Sequence, residues 1–280
     1  MLKREIPDRV WFFDLEWVPD AAAARRLYDL SPELTEADAI KKLWDESGAT
    51  EAKPRPFLKY LFSRIVSIAF VSRLVVFDGP DRRIDFHLVS YPSLPIDTAE
   101  VDESLIICEF LTKVGTRRPQ LVGYNSAESD VQVLIQRGLV NEVAAPGFCE
   151  RPQNKWDPHY FQNWDNEEHL DLMKLFSSKR GMAPRLDELA KLCGYPGKLD
   201  IEGQHVVDLW LEGDVKSIVE YNLIDAVNTY LVWLRIVHFC GKLADEDYAD
   251  ELMAFRSFLE NEASKEHREF LGQFLEKWEM

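Results

Sequence analysis

Apolar residues near the N-terminus run together in short blocks, and such blocks bounded by turn signals predict buried strands. The first, around "VWFFDLEWVPD", predicts a strand at about residues 10–15. An alanine-rich, charged stretch across 20–47 predicts helix, and "EAKPRPF" is a proline-punctuated connection. The β-branched run "SRIVSIAFVSRLVVF" predicts a strand, with "RIDFHLVS" its hairpin partner across "DGPDR". Val101, Leu105, Cys108 and Leu111 have helical spacing within 98–114 and lead into a short strand, "QLVGYN". Then "ESDVQVLIQRGL" predicts helix, "PQNKWDPHYFQNW" an aromatic packed loop, and "EHLDLMKLFS" a short strand or helix. Three helices follow, "RLDELAKLC", "HVVDLWLEG" and the long "DVKSIVEYNLIDAVNTYLVWLRIVHF", with Gly194 and Gly213 as stop signals. After Gly241 come two amphipathic segments, the last spacing Phe270, Phe274 and Trp278 four apart, which predicts a helical tail packed on the main domain. The order predicts an α/β fold with a mixed sheet, because the early strands form an antiparallel meander.

Composition bounds the setting. At 280 residues with 46% hydrophobic and 12% aromatic content, the chain is long enough for one large core, or one domain with additions. No apolar run nears the roughly 20 residues of a membrane span, and "MLKREIPDRV" lacks the apolar region of a signal peptide. A cytoplasmic protein without membrane contact is the expectation. Cys108, Cys149, Cys193 and Cys240 are widely spaced, so reduced thiols are expected, and a zinc site with His159 or His169 finds no support in the spacing. The formal charge of −16 argues against a generic nucleic-acid binder. Acidic runs such as "ADEDYADE" read as solvated faces, whereas "SSKRGMAPR" is basic.

The first strand carries the chemistry. Alternation puts Asp14 and Glu16 on one face, about 6–7 Å apart at the usual rise. Two carboxylates that close in a water-poor place repel each other and lose solvation, and a bound divalent cation removes both penalties. A solvated sheet edge would explain a lone D-x-E equally well. Asp165/Glu167 and Asp200/Glu202 repeat the spacing in loop-like contexts, so the aromatic strand is what distinguishes the first. On the long helix Tyr221 and Asp225 are four apart and share a face, and of nine tyrosines only Tyr221 has an Asp at that offset. Asp130 stands at or near a helix start after "LVGYNS", where an Asp is more often a cap than a ligand.

D-x-E on the first strand, N-x4-D after a later strand and Y-x3-D on a late helix, in that order, resemble the DEDD superfamily of 3′–5′ exonucleases in its tyrosine-bearing subtype. "FFDLEWVPD", "LVGYNSAESDVQVLIQRG", "LDLMKL", "RLDELAKLCGYPGK" and "EYNLIDAVNTYLVWLR" look like stand-alone bacterial exonucleases related to the proofreading domain of family-B DNA polymerases. The resemblance spans roughly residues 8–236 and does not place the tail after Gly241. It implies an RNase H-like fold, a five-stranded mixed sheet with helices on both faces, as an exonuclease domain over 8–240. The region at about 20–47 would be a helical insertion, either a lid over the 3′ end or packing, and 241–280 a helical extension.

The same resemblance implies two divalent cations, Mg²⁺ or Mn²⁺, with Asp14 bridging both, Glu16 and Asp225 on one, and Asp130 anchoring the other through water. Such a pair suits oxygen ligands and stabilises attacking and leaving oxygens. Tyr221 would position the attacking water, since a tyrosine titrating near ~10 is a poor general base. Asn125 and Leu15 would meet the substrate. Trp17 would stack beside its terminal base or else lie buried under the inserted helices, and Lys179 and Arg180 (with Arg185 beside them) are candidates for phosphate contact or plain surface charge. That substrate is expected to be single-stranded DNA or a frayed 3′ end, with RNA the alternative and nucleoside 5′-monophosphates the product. Two residues depart from the pattern: Ser129 stands where relatives often carry an aromatic, and Trp17 where the wider superfamily has Thr. They bear on the shape of the 3′-end pocket and leave every ligand in place. Four ligand carboxylates balance two divalent ions, and taking those four from −16 leaves −12. That residual field opposes substrate approach, so the intrinsic affinity for DNA is expected to be weak and a protein partner could assist. A non-catalytic binding or scaffolding module is the rival reading, to be favoured if ligand acids were missing.

Overall fold

The computed structural model describes residues 5–79, 81–150, 159–160, 168–176, 183–199 and 205–278. Five strands form one sheet: β1 (Arg9–Pro19), β2 (Ser63–Asp78), β3 (Asp81–Tyr91), β4 (Gln120–Gly123) and β5 (His169–Asp171), in the order β3-β2-β1-β4-β5. β2 is antiparallel to β1 and β3, whereas β4 runs parallel to β1 and β5 parallel to β4. The expected five-stranded mixed α/β sheet flanked by helices is therefore present.

Helices cover both faces. The inserted α1 (Ala21–Tyr28) and α2 (Glu36–Glu46) precede β2, and α3 (Glu103–Arg117), α4 (Asp130–Val140) and α5 (Pro146–Cys149) lie between β3 and β5. After β5 come α6 (Leu186–Leu192), α7 (Val206–Glu212), α8 (Val215–Phe239), α9 (Asp245–Ala263) and α10 (Glu269–Glu276). Alternation along β1 divides the core. Val10 and Phe12 point to the α8 side, where Tyr230, Trp233, Phe255 and Phe274 pack. Trp11, Phe13 and Leu15 point to the α3 and α4 side, against Ile107, Phe110 and Leu134. Nearly every residue of α8 from Ile218 to Val237 is buried, as expected of a helix that is apolar all round. Asp214 caps its start by accepting from the Ser217 amide at 3.0 Å.

Several elements differ from expectation in extent. β1 reaches Pro19, because β2 pairs with it throughout. The region 20–47 is a helical hairpin rather than one helix. Asp29 adopts a left-handed conformation (φ 51°) and closes α1, and the Thr35 hydroxyl caps α2. Ala24, Ile40, Leu43 and Leu58 give this hairpin a small core of its own. "EHLDLMKLFS" is both strand and helix, since β5 gives way to a 3-10 turn over Leu172–Leu175 capped by Asp171. Of the aromatic loop, His159 and Tyr160 are described. Tyr160 stacks on Phe148, and its hydroxyl donates to the Pro119 carbonyl at 2.9 Å. The tail joins the α8-side core through Phe255, Leu259, Phe270 and Phe274. A buried ion pair clamps it, with the Arg73 guanidinium of β2 donating twice to Glu251 of α9, at 2.6 and 2.9 Å.

Candidate active site

β4 is shorter than β1 and pairs with it only over Val10–Phe12. Beyond Phe13 the β4-facing edge of β1 is bare of that ladder, at the carboxyl ends of two parallel strands, where open α/β sheets present their ligand sites. Asp14 and Glu16 stand on this stretch and share the α8 face with Val10 and Phe12. A register shift between Glu16 and Trp17 ends the regular alternation there.

Three carboxylates converge. One ligand oxygen each from Asp14, Glu16 and Asp225 lie within 4.8 Å of one another. Helical spacing brings Tyr221 alongside Asp225, one turn earlier on α8. Asp130, the first residue of α4, takes another position. Its Oδ1 accepts from the Leu15 amide at 3.0 Å, filling the vacant ladder position between the two β1 acids, and its Oδ2 lies 2.6 Å from the Ser129 hydroxyl. Asp130 thus adjoins the three-carboxylate cluster through the β1 backbone.

Electrostatics follow from this crowding. Burial, then Asp130, Asp225 and Glu16, hold the Asp14 carboxyl well above the usual carboxylate range. Burial and Asp225 do the same to Glu16. Burial pushes Asp130 up to about 6, and burial also raises Asp225, although Lys198 opposes it. Tyr221 is raised by burial and then by Asp225 and Glu16. Asp225 Oδ1 is buried with no hydrogen-bond partner. An all-oxygen donor set, mutual repulsion and an orphaned buried carboxylate oxygen fit hard divalent cations such as Mg²⁺ or Mn²⁺.

The fold also brings in residues that spacing did not single out. Asn222, wholly buried on α8, donates its Nδ2 to Asp14 Oδ2 at 2.7 Å while its Oδ1 accepts from the Ser67 hydroxyl of β2 at 2.8 Å. Lys198 sits 2.9 Å from Asp225 Oδ2 and donates to the Tyr221 hydroxyl. Burial works to lower its ammonium, yet Asp225, Asp14 and Glu16 outweigh that and hold it above its ordinary value. Asp171 of β5 shapes the turn before α4, accepting from the Asn125 and Ala127 amides at 2.8 and 3.1 Å. Both Asn222 and Lys198 lie inside stretches already quoted, "EYNLIDAV" and "CGYPGK", but no spacing rule marks them.

The expected substrate residues are placed unevenly. Leu15 reaches the site only through its amide, because its side chain is in the core. Asn125 occupies the left-handed region (φ 62°), which Asn tolerates, in the turn leading to Asp130. Gly123 is required just before it, since a Cβ there would lie 2.4 Å from the Ser126 hydroxyl. Trp17 is half-buried, edge-on to Tyr60 at 6.1 Å between ring centres. Lys179 and Arg180 lie outside the described residues, as do Asp165, Glu167, Asp200 and Glu202. Arg185 stands at the start of α6, where its amide donates to Glu188 at 2.8 Å. Beside Tyr221 a cleft of about 240 Å³ opens between α8 and α10, lined also by Lys216, Glu220, Glu269 and Gln273. None of the helices, among the described residues, is long and apolar enough to cross a membrane.

Residues 55–278 match the family described as "Predicted 3'-5' exonuclease related to the exonuclease domain of PolB". The matched range contains Asp130, Lys198, Tyr221, Asp225 and the tail. It begins after β1, so Asp14 and Glu16 join those residues through the fold. Among solved structures, the family B DNA polymerase from the hyperthermophilic archaeon Pyrobaculum calidifontis is similar at 16% identity and a TM-score of 0.44. That likeness covers 97% of this chain but only 28% of the polymerase chain. No curated protein matches the chain.

Proposed function

Because the chain belongs to the family of predicted 3′–5′ exonucleases related to the exonuclease domain of PolB, we propose that it is a metal-dependent 3′–5′ exonuclease of the tyrosine-bearing DEDD type. It acts on single-stranded DNA or frayed 3′ ends in the cytoplasm and releases nucleoside 5′-monophosphates. The observation that carries this reading is the meeting of Asp14, Glu16 and Asp225 within 4.8 Å, with Tyr221 on the adjoining helical turn.

Asp14, Glu16 and Asp225 would hold the metal, and Asp130 would complete the acidic wall from the Leu15 side. Bound divalent cations supply a polarised phosphate and an acidified water. The protein's own groups do the rest. Asn222 fixes the Asp14 carboxylate, and Tyr221, held by Lys198, presents its hydroxyl beside Asp225 to orient the attacking water.

Lys198 is the feature that favours the rival reading, a non-catalytic module, because its ammonium already neutralises Asp225. One assay separates the two. A 5′-labelled single-stranded DNA and its RNA counterpart are incubated with Mg²⁺, Mn²⁺ or EDTA. The expected result is a metal-dependent ladder shortening from the 3′ end, abolished in Asp14→Ala and slowed about 10- to 100-fold in Tyr221→Phe. The preferred strand identifies the substrate. A folded protein inactive with both metals on both strands overturns the nuclease.

A further inference from the structure

The segment Lys53–Arg64, "KPRPFLKYLFSR", carries four basic residues and no acidic one in a chain of net charge −16. It links the inserted hairpin to β2. Pro54 and Pro56 each fix a backbone φ and so restrict the segment before any ligand arrives. Leu58 is buried in the small core of the hairpin, while Phe57 and Lys59 on either side of it are turned outward. Phe57 is 71% exposed. A large aromatic held in the open by a stiffened, anchored segment has the form of a stacking surface.

Its position ties it to the site. The Phe57 ring stands edge-on to Tyr60 at 5.4 Å, and Tyr60 stands edge-on to Trp17 at 6.1 Å. Trp17 directly follows Glu16. The Tyr60 hydroxyl donates to the Glu128 carbonyl at 2.8 Å, two residues before Asp130. An aromatic path therefore leads from the D-x-E strand to the exposed face of Phe57. Arg55 is committed to Asp208, at 2.6 and 3.0 Å, and its guanidinium lies over Trp44. Lys53 and Lys59 are exposed on the same segment, the Lys59 ammonium lying 5.7 Å over the Phe62 ring.

We propose that Phe57, with Lys59 and Lys53, is a strand-binding subsite that stacks a base of single-stranded nucleic acid upstream of the 3′ terminus and contacts its phosphates. The proposal rests on the nuclease reading for the direction of the strand. Aromatic stacking is tolerant of sequence, because every base has a π-face. Lysines on a local basic segment supply the phosphate attraction that the acidic remainder of the surface opposes.

The test measures strand affinity separately from cleavage. Binding of 5′-fluorescein oligo(dT) and oligo(rU) is followed by anisotropy in EDTA across a salt series. Phe57→Ala is expected to weaken binding about 5- to 150-fold, the range for losing one stacked base, and Phe57→Trp to restore it. Lys59→Ala is expected to lessen the slope of log affinity against log salt by about 0.7, one phosphate contact. Phe239→Ala, which removes another exposed aromatic (77%), should leave affinity unchanged. The dT and rU arms tell which nucleic acid the subsite prefers. Equal affinity of Phe57→Ala and wild type, or no wild-type binding even at low salt, overturns the subsite. Binding that depends on Phe57 in a protein that cuts neither strand with Mg²⁺ or Mn²⁺ supports the subsite and overturns the nuclease.

Discussion

Asn222 connects two groups far apart in sequence: its amide donates to Asp14, 208 positions away, and accepts from Ser67, 155 positions away. With both ends engaged the amide has one orientation, and so does the carboxylate it holds. Asn222→Ala should lower kcat about 10- to 100-fold, the usual cost of losing a partner behind a ligand, and raise the metal concentration needed for half-maximal rate. Ser67→Ala, which leaves the Asn222–Asp14 bond, should have a smaller effect in the same direction. A wild-type metal titration for Asn222→Ala would remove the relay from the mechanism. The contrast with Tyr221 and Asp225 explains what the sequence could reveal. Four residues on a helix or two on a strand are fixed by local geometry, so D-x-E and Y-x3-D can be read from spacing. Ser67, Lys198 and Asn222 take their roles from contacts that only the folded chain creates. Asp130 falls between these cases: its place at the start of α4 was legible, but its bond to the Leu15 amide depends on where β4 stops.

At the scale of elements, β2 and β3 and the long α8 were legible because their patterns are long and internally consistent. β5 was legible only as a choice between strand and helix, since three residues become a strand by pairing with β4, Leu121 opposite His169. Where the helical region 20–47 turns is not legible in the sequence, because Asp29 and Thr35 are ordinary polar residues until one turns left-handed and the other caps. The tail has a more testable basis. Arg73 and Glu251 are a buried pair, with Tyr230 also donating to Glu251 at 3.1 Å. Breaking such a pair leaves a buried charge uncompensated and costs about 3–5 kcal/mol. Arg73→Met should therefore lower the urea-unfolding free energy by that order. Arg73→Met combined with Glu251→Met should recover most of the loss, because no lone charge remains. Equal losses in the single and double variants would mean that the ion pair itself contributes net stability, and that the loss in Arg73→Met is not the penalty of a lone buried Glu251.

Across the whole molecule, four acidic groups are held where burial makes their charge most costly, in carboxyls at one end of the sheet. Each of Asp14, Glu16, Asp130 and Asp225 is held above its ordinary value, mainly by burial. A carboxyl with a raised folded-state pKa keeps its proton where the unfolded chain has lost it. The native state then binds more protons than the unfolded state, and stability falls as pH rises through that window. For Asp130, pushed up to about 6, the window runs from about 4 to about 6, and a displacement near two units corresponds to roughly 3 kcal/mol. Lys198 has the opposite sense. Its raised ammonium contributes stability below its unfolded value and keeps that contribution throughout this window. In chelator, thermal stability should accordingly decline between pH 4 and 7, and Asp130→Asn should flatten the decline even though the general charge of the chain is almost unchanged. Mn²⁺ at about 100 times its Kd should restore about 2.7 kcal/mol. At one fixed Mn²⁺ concentration the restoration should grow with pH, because the carboxyls must lose protons to bind the ion, and it should disappear in Asp14→Asn. Melting curves from pH 4.5 to 8 in EDTA and in Mn²⁺ test all of this without any turnover. A flat or rising profile in EDTA would mean that the carboxyls are already neutralised within the protein, with Lys198 the group placed to do it, and the cluster would then have no need of a metal.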